Sequence, residues 1–156
     1  MSPLRRANLI ALLVPAALMA GALGSQYFGH LYPCEMCWWQ RWPHYSAIAL
    51  ALLALVAPRN LTGRLLIAGA AGGILTSGLI GIYHAGVEYH FWEGLTHCTS
   101  MASGDGDTLA QIMAAPLIRC DTPQWTLLGI SLAGFNALIS VPTALYVFNL
   151  LRKVKP

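Results

Sequence analysis

Cys34-Glu35-Met36-Cys37-Trp38-Trp39-Gln40-Arg41-Trp42-Pro43-His44 is the stretch around which the rest of the chain is organised. Two cysteines at C-x-x-C spacing can close a small disulfide or release two thiols. A helix starting just after Cys37 would favour the thiolate, which is the reacting form. Arg41 follows Cys37 by four residues, placing both on one helix face with the guanidinium about one turn deeper than the sulfur. A cation at that depth calls for an anionic partner. Trp38, Trp39 and Trp42 surround the group, and tryptophan concentrates where water meets hydrocarbon, so the segment reads as lying at the interface depth of a membrane.

The composition agrees: of 156 residues 56% are hydrophobic and 10% charged, too apolar for an ordinary soluble domain. The formal charge of +3 is explained by loop cations that orient a membrane protein, and no basic stripe with interleaved aromatics points to nucleic acid. Met1 to Arg6 resembles the basic start of a signal peptide, but the apolar run after it is long enough to span a bilayer. Apolar runs predict four spans, about 7–28, 38–57, 65–86 and 125–151, in a single domain over 1–156. Pro15 predicts a kink in the first, Gly69-x-x-x-Gly73 a close helix contact in the third, and Asn136 an interhelical hydrogen bond in the fourth.

Loops of about 29–37 and 87–124 join the spans on one side. The longer holds Cys98, Cys120 and the flexible run Ser103-Gly104-Asp105-Gly106-Asp107. Leu109, Ile112, Met113 and Leu117 fall at helical spacing, predicting a short surface helix there. Glu88 and Glu93 read as solvated, and Trp92 and Trp125 as interface anchors. Arg5, Arg6, Arg59, Arg64, Arg152, Lys153 and Lys155 share the side holding both termini, which makes that side cytoplasmic. All four cysteines then face the opposite compartment, where bacterial disulfides persist. The expected fold is therefore an all-α, polytopic four-helix bundle with a long outer loop.

C-x-x-C alone serves zinc sites, haem attachment and redox pairs alike. Cys37 lacks the following histidine of a c-type haem site, and Cys98 and Cys120 are too far apart to form a second knuckle. A four-cysteine zinc site across the loops and purely structural disulfides stay open, yet neither uses Arg41. Arg41 can snorkel to the interface, or it can stabilise an oxyanion on a membrane-dissolved electron acceptor beside Cys37. A quinone fits that need, being lipid-soluble and passing through anionic forms. His84, at the outer end of the third span, can hydrogen-bond a quinone carbonyl, relay a proton, or cap its helix.

Cys34-x-x-Cys37 followed by Gln40-Arg41, Tyr83-His84-Ala85-Gly86-Val87-Glu88, and Arg119-Cys120-Asp121 leading through Trp125 to Leu128-Gly129-Ile130-Ser131 together resemble the DsbB family of bacterial inner-membrane thiol:quinone oxidoreductases. The resemblance covers nearly the whole chain. It implies that Cys98 and Cys120 oxidise a periplasmic thioredoxin-fold dithiol protein of the DsbA type, with Cys98 forming the mixed disulfide. It further implies that Cys120 exchanges with Cys34, and that Cys37 meets ubiquinone or menaquinone beside Arg41. In that family the quinone-linked enzyme keeps the bacterial periplasm oxidising. Two rivals stand beside this reading. A vitamin K epoxide reductase-like quinone oxidoreductase would carry its C-x-x-C after the loop pair, the reverse of the order here. A membrane scaffold with structural or metal-binding cysteines would tolerate Arg41→Lys.

Overall fold

The computed structural model describes residues 1–58, 60–95, 99–100 and 117–154. Four helices dominate them: α1 (Pro3–Tyr27), α2 (Glu35–Val56), α3 (Leu61–Glu88) and α4 (Leu132–Arg152). Each begins where a side chain can satisfy an orphan N–H of the first turn. Ser2 accepts from the Arg5 amide, Asn60 from Thr62 and Ser131 from Gly134, while Pro3 sits in the first turn of α1 where its missing N–H is no loss. At α2 that acceptor is a sulfur: Cys34 is the N-cap, with Sγ 3.3 Å from the Cys37 amide. The helix therefore starts at Glu35 and not after Cys37 as the sequence suggested, and Cys37 lies inside its first turn.

The fourth helix starts at Leu132, later than the expected span near Trp125. The intervening residues make a tight antiparallel hairpin, Thr126–Leu127 against Ile130–Ser131. Leu128 and Gly129 form its turn at φ 53° and 78°, positive at both central positions, as a two-residue hairpin connection demands. The Tyr89 hydroxyl fastens this hairpin to the end of α3, donating to Gly129 O at 2.7 Å and accepting from the Ser131 amide at 2.8 Å. A second two-residue ladder pairs Thr99–Ser100 with Leu117–Ile118. The expected surface helix over 108–117 lies outside the described residues apart from Leu117, which is in that ladder.

Helix α3 packs against both α2 and α4, and α1 closes the bundle. The contacts are close because the side chains are small. A Cβ on Gly73 would lie 2.8 Å from Pro43 O of α2, and one on Gly78 2.8 Å from Val141 of α4, so glycine alone fits. Alanines 7, 11, 47, 51, 70, 71 and 144 fill the core between the four helices. Among the described residues α1, α3 and α4 are long and apolar enough to cross a membrane. Helix α2 is 22 residues long but buries Gln40, Arg41 and His44, and that polar face is what builds the site.

Candidate functional site

Three thiols gather where α2 begins and α3 ends. Cys34 Sγ lies 2.9 Å from Cys37 Sγ and 3.5 Å from His84 Nε2. Cys120 returns from the long loop to the same point: its sulfur, the Cys34 sulfur and a His84 ring nitrogen lie within 4.8 Å of one another, all three residues buried. Met36, Val87 and Ile118 pack around the sulfurs and keep them dry. The Cys34 thiol is pushed well above its ordinary range by its hydrogen bond with Cys120, then by that with Cys37, then by burial. Burial among three sulfurs therefore disfavours the Cys34 thiolate. The fourth cysteine, Cys98, lies outside the described residues.

Beneath the sulfurs runs a polar network that joins three helices. Asn136 Nδ2 donates to Gln40 Oε1 at 2.8 Å and to Ser77 Oγ at 3.0 Å, while its Oδ1 accepts from Ser140 at 2.8 Å and sits 2.9 Å from His44 Nε2. Gln40 Nε2 in turn donates to Met36 O at 3.2 Å and lies 2.8 Å from His84 Nδ1. The interhelical role expected of Asn136 is thus what the structure has. Nothing in the sequence pattern could say that Gln40, on another helix, would link it to His84.

Arg41 is buried, 6% exposed. No carboxylate pairs with it among the described residues, where the ion pairs are His84 with Glu88 and Arg119 with Asp121. Its guanidinium instead bridges to the end of α1, donating to Gln26 Oε1 at 2.6 Å and Ala22 O at 3.2 Å, and lies over the Trp38 ring. Carbonyls near a helix C-terminus carry partial negative charge, so they supply part of what a carboxylate would. Glu88 corrects an expectation. It is not solvated in the loop but closes α3, 9% exposed, with Oε1 3.8 Å from His84 Nε2. Trp92 also does more than anchor: its indole covers Gly86, stacks on Tyr83 and donates to Tyr83 O at 2.9 Å, folding the loop back over α3.

A half-open cavity of about 230 Å³ reaches these groups. Its walls are apolar residues of α1 and α4, Ala17, Leu18, Ala22, Leu132 and Phe135 among them, and its floor carries Cys34, Cys37, Arg41, His84 and Glu88. The cavity therefore sets apolar surface beside a thiol and a cation. Cys34, His84 and Cys120 also present three donors at metal-binding distance, one short of a closed structural zinc site.

The comparisons with known proteins agree with this arrangement. The family model described as disulfide bond formation protein DsbB matches residues 4–150. Disulfide bond formation protein B of Alkalilimnicola ehrlichii is 30% identical over 158 aligned positions, covering 88% of this chain and 94% of that one. The protein of the same name from Polaromonas sp. is 30% identical, covering 90% and 86%. An uncharacterized protein, RP370, of Rickettsia prowazekii is 28% identical, covering 86% and 80%. No solved structure matches the chain significantly. With three apolar helices of spanning length and a family match over nearly its whole length, the chain belongs to the DsbB family, as a membrane-integral oxidoreductase of disulfide bond formation.

Proposed function

We propose that this protein makes disulfides by drawing two electrons from a periplasmic thioredoxin-fold dithiol protein of the DsbA type and passing them to a membrane quinone, ubiquinone or menaquinone. Cys98 meets the soluble partner, Cys120 exchanges with Cys34, and Cys37 faces the acceptor. The observation that carries this reading is the meeting of Cys120 with Cys34: residues from two separate loops are buried together within exchange distance.

Each transfer between cysteines is a thiolate attack on a disulfide sulfur along the S–S axis. When Cys120 attacks Cys34 of the Cys34–Cys37 disulfide, a Cys120–Cys34 bond forms and the electron pair leaves on Cys37. The released thiolate sits in the first turn of α2, where the helix dipole favours it, and one turn from Arg41. A bound quinone supplies an acceptor for two electrons and two protons. The residues present fit it: apolar walls from α1 and α4 for its ring, and Arg41 in the lining for an oxygen that gains negative charge. In the proposed orientation both termini are cytoplasmic and the cysteine cluster faces the periplasm of a bacterial inner membrane, with the Trp38, Trp39 and Trp42 rings exposed on α2 at headgroup depth.

The test is reduction of soluble ubiquinone and menaquinone analogues, followed by ultraviolet absorbance, with detergent-solubilised protein and a reduced DsbA-type protein. Wild-type turnover abolished by Cys37→Ser and by Cys98→Ser is the expected result. Failure of the wild type with both analogues, thiols remaining locked or binding zinc, would reject the reading in favour of a scaffold.

A further inference from the structure

The chain's six acids, Glu35, Glu88, Glu93, Asp105, Asp107 and Asp121, all fall in or beside the two loops at the sulfur end of the bundle. The opposite end, where α1 and α3 begin and α2 and α4 finish, carries cations and no acidic side chain. There a groove of about 420 Å³ opens between α3 and α4, its lining including Arg64 and Ala68 of α3 and Leu145, Phe148, Asn149 and Arg152 of α4. Arg64 and Ala68 are four residues apart, and Leu145, Phe148 and Arg152 follow one another by three and four, so each helix turns one stripe toward the groove. On both helices the cation stands at the mouth. Ala68 lies about 6 Å deeper than Arg64 along its axis, and Leu145 about 10 Å deeper than Arg152.

Arg64 is half-buried and Arg152 exposed. Neither is in an ion pair among the described residues, where His84 pairs with Glu88 and Arg119 with Asp121, and neither guanidinium makes a hydrogen bond there. Helix stability explains Arg152, which sits in the last turn of α4 where the dipole favours a cation. It does not explain Arg64, which stands one turn into α3, where the positive end of the dipole opposes it and no acid occupies the first turn. A membrane orientation calls for cations on this side, but not for two from different helices lining one groove.

We propose that this groove binds one acidic phospholipid, its phosphate held between the Arg64 and Arg152 guanidiniums and an acyl chain laid along Ala68, Phe148 and Leu145. The anion has to come from outside the chain, because the chain places no acidic side chain at this end. Basic pockets between spanning helices take phospholipid headgroups, and the guanidinium fork matches phosphate oxygens. Asn149, exposed beside them, adds an uncharged donor. The apolar depth of the groove favours a lipid over free phosphate, which would leave Leu145, 58% exposed, uncovered. Because the lipid touches both α3 and α4, its binding favours their paired arrangement. The inference goes beyond the proposed function and takes from it only the membrane setting.

The test is native mass spectrometry of the full chain in mixed micelles containing phosphatidylglycerol and phosphatidylcholine. The wild type should retain one phosphatidylglycerol, preferred over phosphatidylcholine by about thirtyfold, the effect of two cationic contacts. The double variant Arg64→Gln, Arg152→Gln should lose that preference. Lys153→Gln removes the same kind of charge at the same helix end but outside the groove, and should keep it. In a second measurement, Leu145→Trp should add fluorescence that brominated phosphatidylglycerol quenches and brominated phosphatidylcholine does not. Equal retention of both lipids by the wild type, or an equal loss in Lys153→Gln and the double variant, would overturn the proposal. So would displacement of the lipid by an equal concentration of inorganic phosphate, which would mark a free-phosphate site. None of these readouts involves turnover, so lost lipid preference with quinone reduction intact refutes this inference alone, and lost turnover with lipid preference intact refutes the proposed function alone.

Discussion

Replacing Asn136 by alanine tests whether the polar network holds the bundle together. The side chain reaches three residues on other helices, Gln40 and His44 on α2 and Ser77 on α3, besides Ser140 on its own. Interhelical hydrogen bonds within membrane proteins average about 0.6 kcal/mol and reach about 1.7, so losing three partners should destabilise the fold by about 2 to 5 kcal/mol. The upper half of that range applies if Gln40 and His44, both buried, find no new partner. The assay is reversible unfolding in mixed micelles with rising dodecyl sulfate mole fraction, followed by far-ultraviolet circular dichroism. Asn136→Ala and Gln40→Leu should be strongly non-additive when combined, because the double variant removes both ends of one bond. A single-variant loss below about 0.5 kcal/mol would refute the claim that these bonds hold the helices in register.

Three further outcomes follow from the geometry. Arg41→Lys cannot span Gln26 Oε1 and Ala22 O together, so quinone-analogue turnover should fall about tenfold, one charge-assisted bond, while the rate of Cys120–Cys34 exchange seen by quenched alkylation stays near wild type; unchanged turnover would refute a role for the Arg41 guanidinium at the acceptor. Gly86→Ala drives a methyl into the Trp92 ring and should cost about 1 to 3 kcal/mol while shifting Trp92 fluorescence to the red; a silent substitution would mean Trp92 does not cover α3 in solution. The Arg119 guanidinium holds the Asp121 carboxyl below the usual range, so this exposed pair is complete at neutral pH and is lost only as pH falls through the carboxylate range. Asp121→Asn should accordingly change loop proteolysis little, by no more than about 0.5 kcal/mol in effect, and only above that range; a large effect at acid pH would contradict the pairing.

Periodicity and composition were enough for the coarse architecture. Gly73 announced a close helix contact because only a missing Cβ permits it, and Asn136 announced a bond between helices because an amide in hydrocarbon needs a partner. Boundaries were less legible. The start of α2 hinged on Cys34 acting as a cap, and thiols are not among the residues that mark helix starts. The start of α4 hinged on a hairpin whose turn contains Leu128 at positive φ, which its side chain does not advertise. Glu88 looked solvated because a carboxylate near a loop usually is, and only the returning hairpin and Cys120 segment bury it.

The sequence by itself determined that the chain is a helical membrane protein with a redox-type cysteine pair beside a cation, because apolar run length, cation placement and C-x-x-C spacing are local quantities. Tertiary structure alone decided that Arg41 bonds the carbonyl-type oxygens of Gln26 and Ala22, and that Gln40 links His84 to Asn136. Those pairings join residues on different helices. Their distances depend on how α1, α3 and α4 settle around the polar face of α2, and no local pattern encodes that packing.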